Sequence, residues 1–383
     1  MPAYSLADHP SPTRYDSLRA DTATGISMNT SASPQTGNAN NLVQPIDDAP
    51  AQVEKSILAV LVGVPLHQAA AISGITPADL VDAVTVYRAA GQGALRAHAA
   101  RDWYQVLIQF TDWDAAERIG AHHLGPLLQA QDAATVTDWW FLRKHPCWRL
   151  RCRPGSGVRM AGLETAVTAV LDDLSSAGLI DRWRQSIYEP ETLAFGGSQA
   201  TDIAHNLFHA DSRGVLDFVR RHDPAAEVSV GRRELSVLLC CTLLRSAGQE
   251  WHEQGDVWHR VAQLRPLPPG TPTERLEDLT RALRRLMTLD TAPTGTLFGT
   301  GGPLAFAAPW TVAFGEAGRA LGNLAGNGAL VRGLRDVLAH HVIFHWNRLG
   351  LADRTQAILA QATRHTIMNP PDSLLDTRPA HGR

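Results

Sequence analysis

Residues 139–153 read Trp-Trp-Phe-Leu-Arg-Lys-His-Pro-Cys-Trp-Arg-Leu-Arg-Cys-Arg (WWFLRKHPCWRLRCR). Trp139–Arg143 and Trp148–Arg153 are rich in aromatic and apolar residues, and Lys144-His145-Pro146-Cys147 between them has turn chemistry, so the stretch predicts two paired strands. Alternate side chains of a strand share a face. Arg149, Arg151 and Arg153 therefore project together, with Trp148, Leu150 and Cys152 opposite. Three guanidinium groups on one face form a concentrated anion site suited to a carboxylate or phosphate.

Outward from this hairpin the pattern repeats. Trp103–Phe110 (WYQVLIQF) reads as a strand, Asp112–Gln131 and Leu163–Leu174 as helices, and Leu179–Tyr188 as a strand. The order β-α-β-β-α-β predicts an antiparallel ferredoxin-like sheet with both helices on one face. Beyond Ala200 the period is helical, over 200–221, 232–253, 273–289, 317–324, 331–349 and 354–365. Pro- and Gly-rich stretches at 266–272 and 293–303 interrupt it. The fold class is thus α+β, a sheet followed by a mostly helical half.

Upstream, residues 51–99 read as a small helical module. Gly63 and Pro65 break its first helix, Gly74 ends the second, and Thr76-Pro77-Ala78-Asp79 starts the third. The outline is that of a helix-turn-helix, but the third helix offers Asp79, Asp82 and only Arg88, a poor match to phosphate. Residues 1–50 and 369–383, rich in Ser, Thr, Asn, Pro and Gly or without periodicity, read as disordered tails. The domain that carries the chemistry is then 100–368.

With 35 basic and 38 acidic residues and a net charge of −3, the chain lacks the basic excess of a general nucleic-acid binder. Four cysteines, Cys147, Cys152, Cys240 and Cys241, form no CxxC pair, so no zinc or iron–sulfur site is expected. Cys240 and Cys241 sit in the apolar run LSVLLCCTLL and read as core thiols. No secretory h-region or membrane-length apolar stretch is visible, so the expectation is a cytoplasmic protein that does not engage a membrane. Neither GxGxxG nor a P-loop occurs, and no cofactor is expected.

Three further stretches carry polar groups. Tyr188-Glu189-Pro190-Glu191, followed by Ala194-Phe195-Gly196-Gly197, places Glu189 and Glu191 as acid–base groups or partners of the arginines. Asp211 and Ser212 follow apolar Leu207 and Phe208, but without GxSxG a serine hydrolase is not indicated. His341 and His345 stand four apart on a helix; without HExxH they suit acid–base work better than metal binding. Asn347 and Arg348 follow them.

These stretches, WWFLRKHPCWRLRCRP, YEPETLAFGG, NLFHADS and HVIFHWNRLGL, occur in an order that resembles the thiopeptide-type bacteriocin biosynthesis family. That family is the stand-alone relative of the C-terminal elimination domain of lantibiotic dehydratases. The resemblance covers 103–365. It implies a ribosomally made precursor peptide as substrate, a glutamylating dehydratase as partner, and loss of glutamate from glutamylated Ser or Thr. It leaves a homodimer open. It implies Arg149 and Arg151 as glutamate- or enolate-binding residues and His345 or His341 as the base. Arg153, Glu189, Glu191, Asp211, Ser212, Asn347 and Arg348 are then substrate-binding. Where elimination members often carry Arg before the aromatic-Gly-Gly step this chain has Ala194, and where they often carry His four residues before Asn-Arg it has Ile343. The alternatives are therefore a [4+2] cycloaddition joining two dehydroalanines, a non-catalytic peptide-binding subunit, and, least favoured, a helix-turn-helix regulator.

Overall fold

The hairpin forms. In the computed structural model, which describes residues 49–99, 103–131, 135–221, 230–270 and 274–368, Asp138–Lys144 (β2) pairs antiparallel with Cys147–Arg153 (β3). Strand β3 also pairs with Tyr104–Phe110 (β1), and β1 with Ile180–Ser186 (β4). The sheet order is β2-β3-β1-β4, every neighbour antiparallel.

One face of this sheet is the core. Val106 and Ile108 of β1, Phe141 of β2 and Trp148, Leu150 and Cys152 of β3 are buried there. Met160–Ser176 (α6) lays Leu163, Val167, Val170 and Leu171 against them, the stripe its helical period requires. The predicted helix over 112–131 is instead Ala116–Ile119 (α4), a π-helical turn Gly120–Leu124, and Gly125–Ala130 (α5). Space sets this irregularity: a Cβ on Gly120 would lie 2.7 Å from the Trp148 ring, and one on Gly125 2.9 Å from Leu216. Two glycines let the backbone pass where side chains would collide.

The helical half is Ser198–Arg221 (α7), Arg232–Ser246 (α8), Trp251–Leu264 (α9), Glu274–Met287 (α10), Ala308–Gly326 (α11), Leu334–Leu349 (α12) and Asp353–Met368 (α13). The predicted single helix over 232–253 is two. Gly248 (φ +76°) turns the chain, and Glu250 and Glu253 make a capping box that starts α9. Helix α8 is buried on all sides from Leu235 to Leu244, including Cys240 and Cys241. Burial pushes the Cys241 thiol up to about 12, so both are inert core residues. Helix α11 approaches α8 so closely that a Cβ on Gly318 would lie 2.4 Å from the Leu243 carbonyl oxygen.

The chain divides into two compact units, Met1–Leu80 and Val81–Arg383. In the first, Ala49–Leu61 (α1) and Leu66–Ser73 (α2) bury Ile57, Ala69 and Ala70, and the Ser56 hydroxyl donates to Ser73 Oγ at 2.8 Å. Gly74 (φ +68°) ends α2, and the Asp79 amide donates to Thr76 Oγ1 at 3.2 Å to open Pro77–Ala99 (α3). The division falls within α3. Among the described residues no single helix is long and apolar enough to cross a membrane. Apart from Ala49 and Pro50, the expected tails lie outside the described residues.

Candidate active site

The second face of the sheet holds the arginines. Register puts Trp140, Arg151, Gln105 and Ser186 in one row across β2, β3, β1 and β4, and Leu142, Arg149, Leu107 and Arg184 in the next. The segment following β4 and helices α7 and α12 bring aromatic side chains toward the first row. Trp103, Trp140, Phe195 and Phe208 form a buried cluster with Tyr188 and Phe344 packed against it.

Arg151 lies within this cluster, 5% exposed. Its guanidinium carbon is 4.1 Å from the Trp140 ring centre and 4.8 Å from that of Tyr188. Its Nε donates to Gln105 Oε1 at 2.8 Å, and its NH1 is buried with no partner among the described residues. Burial, with Arg149 and Arg348 adding repulsion, lowers its pKa to about 10, still cationic at neutral pH. Arg149 is half-buried and makes no hydrogen bond to a described residue. Arg153 is occupied by Asp138 and lies 5.3 Å from the Trp103 ring centre.

Beside Arg151, the Tyr188 hydroxyl and His205 Nε2 are 2.8 Å apart. Burial, reinforced by Arg153 and Arg151, lowers His205 to about 4, so its ring is neutral. Burial also raises the Tyr188 phenol, which therefore keeps its proton and donates it to His205. A histidine whose folded pKa lies below its unfolded value contributes stability that is fully present above about pH 6.5 and is lost as pH falls toward 4. The thermal midpoint is expected to fall over that window. His205→Gln, which keeps an acceptor for Tyr188, should flatten the fall; an unchanged slope in that variant would assign it elsewhere.

Helices α7 and α12 meet at a buried carboxylate. Asp211 is 1% exposed. Its Oδ1 accepts from His345 Nδ1 and from Trp310 Nε1, each at 2.9 Å, and its Oδ2 accepts from Arg348. Burial alone would raise its pKa, but His345 and Arg348 hold it below the ordinary carboxylate value. Arg348 reaches onward: its Nε donates to the Phe141 carbonyl at 3.1 Å. Ser212 Oγ accepts from the Phe141 amide at 3.2 Å. His209 Nδ1 stands 3.1 Å from the Trp139 amide nitrogen and 3.0 Å from its carbonyl oxygen, serving one or the other according to tautomer. Side chains of two helices thus take the place of a further strand beside β2.

Arg149 and Arg348 lie close enough to Arg151 to act on it through their fields, and Arg348 acts likewise on His341. The Arg348 guanidinium carbon is 4.6 Å from the Phe208 ring centre and 5.8 Å from that of Trp140. The His341 ring centre is 5.0 Å from Phe195 and 6.0 Å from Phe208. Neither His341 ring nitrogen has a partner among the described residues, nor do Arg348 NH2 and Trp140 Nε1. Burial first, then Arg348 and His340, lowers His341 to about 3. Its imidazole is neutral. Guanidinium and indole N–H groups around a neutral ring make an environment suited to an anion.

The other candidate residues lie elsewhere. Glu189 and Glu191 are exposed, and Glu191 acts on Arg151 only through its field. His345 is behind Arg348, its ring centre 5.1 Å from Phe314 and 5.9 Å from Trp310. Asn347 accepts from Gln356 at 3.0 Å and lines a separate cleft of about 320 Å³ with Trp113, Glu117 and Arg143. Asp211 and Ser212 serve different neighbours rather than each other. Sequence reasoning did not single out Trp140, His205 or Gln105. Trp140 and His205 are legible only once strand parity and the α7 period are combined. Among the described residues no group of His, Cys, Asp and Glu can hold a metal ion.

The chain belongs to the lantibiotic biosynthesis dehydratase C-terminal family, whose model matches residues 103–367. The resemblance read from the four sequence stretches is thereby borne out. Among solved structures, the tRNA-dependent lantibiotic dehydratase MibB from Microbispora sp. 107891 is similar at 18% identity and a TM-score of 0.51, covering 73% of this chain and 29% of its own. TsrL is similar at 18% identity and a TM-score of 0.48, covering 69% of this chain and 99% of its own. The pyridine synthase TbtD from thiomuracin biosynthesis is similar at 13% identity and a TM-score of 0.46, with 70% and 98% covered. The chain thus spans less than a third of the dehydratase. No curated protein matches.

Proposed function

We propose that this chain is a peptide-tailoring lyase of lanthipeptide or thiopeptide maturation, removing glutamate from glutamylated Ser or Thr of a ribosomally made precursor. The carrying observation is Arg151: a buried, aromatic-sandwiched guanidinium with a free N–H, beside Arg149 and Arg348. In the elimination a base takes the α-proton. The electron pair forms the Cα=Cβ bond, and the Cβ–O bond breaks to release glutamate as a carboxylate. Arg151 and Arg149 stabilise the enolate and the departing carboxylate. His341, packed on Phe195 and Phe208, is the base: a substrate carboxylate held beside Arg348 raises its depressed pKa toward neutrality so that it accepts the proton, while His345 acts through Asp211 to fix Arg348. A glutamylating dehydratase supplies the substrate. The strand order supports a ferredoxin-like reading of the sheet.

Mass spectrometry of a glutamylated precursor peptide tests this. Wild-type protein is expected to remove one glutamic acid per modified residue, leaving dehydroalanine or dehydrobutyrine. An untouched adduct rejects the lyase. Conversion of a peptide holding two dehydroalanines into a macrocycle would replace it with the cycloaddition that Ala194 and Ile343 keep open.

A further inference from the structure

The second row of the arginine face carries charge well beyond Arg151. Leu107 stands opposite Arg149 on one side and Arg184 on the other, so both arginines share its face. They are two strands apart, about 10 Å. Arg182, opposite Gln109, lies two residues further along β4, about 7 Å away. Arg182 and Arg184 are exposed, the Arg182 side chain at 74%. Among the described residues, one close carboxylate stands against this run of guanidinium groups: Asp181, 3.8 Å from Arg182 Nε. Arg182 also donates to Gln109 at 3.0 Å. Arg149 and Arg184 make no ion pair with a described residue. Whereas β2 is covered by α7 and α12, β4 forms the other edge of the sheet.

We propose that Arg149, Arg184 and Arg182 form a cationic track that binds an acidic stretch of an extended substrate peptide and leads it from the β4 edge to Arg151. The proposal rests on the peptide-substrate reading above and names what that peptide must present. An extended chain advances about 3.3 Å per residue, so carboxylates two or three residues apart match the track. Charge complementarity selects the occupant: Arg149, Arg184 and Arg182 share one face, and Arg149 and Arg184 make no ion pair with a described residue.

The probe is a fluorescein-labelled peptide of Gly, Ser and four spaced Glu, with its Gln counterpart as control, read by fluorescence anisotropy at low and moderate salt. Wild-type protein is expected to bind the Glu peptide, and binding should weaken with salt. The double variant Arg182→Gln/Arg184→Gln should weaken it about fivefold or more. Asp181→Asn, which removes the competing carboxylate, should tighten it. Arg118→Gln, an exposed arginine on α4, should change nothing. In turnover, the double variant should raise KM and leave kcat unchanged. Equal binding of Glu and Gln peptides, or no effect of the double variant, overturns the track while leaving the lyase standing. Tighter binding of a single-stranded DNA probe through the same arginines also overturns it. Loss of binding in the double variant, in a protein that removes no glutamate, keeps the track and rejects the lyase.

Discussion

Arg151→Ala is expected to slow glutamate elimination by on the order of a hundredfold or more, because it removes a fixed donor from charge that develops only in the transition state. The loss should fall on kcat more than on KM. Arg151→Lys keeps the charge but not the planar fork held between Trp140 and Tyr188, and should recover only part of the rate. Folding should suffer less: one side-chain hydrogen bond, to Gln105, is lost. Single-turnover mass spectrometry beside thermal unfolding separates the two effects. A variant that keeps its rate would remove Arg151 from the chemistry; one that loses rate and fold together would make it a structural residue.

Asp211→Ala should lower stability by about 3–5 kcal/mol, since Arg348 would remain buried without its countercharge. Asp211→Asn keeps the shape but not the charge and should cost nearly as much. The carboxyl is held below its ordinary pKa, so its contribution is present above the unfolded value and lost as pH falls through the folded one. Acid unfolding of the wild type should accordingly steepen in the carboxylate range, and the Asn variant should lack that component. Denaturant titration at two pH values reads this directly. A shift below 1 kcal/mol in both variants would contradict the network drawn from α7 to α12.

The strands were legible because the chemistry that makes them is local: aromatic residues, alternation, and turn residues between runs. The arginine face followed from parity alone. The break between α8 and α9 was also written locally, in Gly248 and the Glu250–Glu253 pair, yet the apolar run through Cys240 and Cys241 extends the helical period across it. The π-helical turn at 120–124 was not legible, because its cause is the Trp148 ring from another element. The same holds for the polar residues of α7. His209, Asp211 and Ser212 look like chemistry in a sequence, but long-range packing assigns Ser212 and His209 to the β2 backbone and Asp211 to α12. His205, one turn earlier, looks unremarkable in sequence and meets Tyr188 beside Arg151.

The side chains that cover β2 bear on how the chain reaches its fold. Strand β2 leaves the ribosome some 70 residues before Ser212 and some 200 before Arg348, and synthesis adds roughly 5–20 residues per second. For several seconds the Trp139 and Phe141 backbone groups face outward on a strand flanked by exposed aromatic residues. Such an edge is a template for pairing with another nascent chain. Co-translational crowding, or slow refolding at high concentration, therefore favours intermolecular sheet over the native docking of α12, and yield should respond more to concentration and chaperone supply than to native stability.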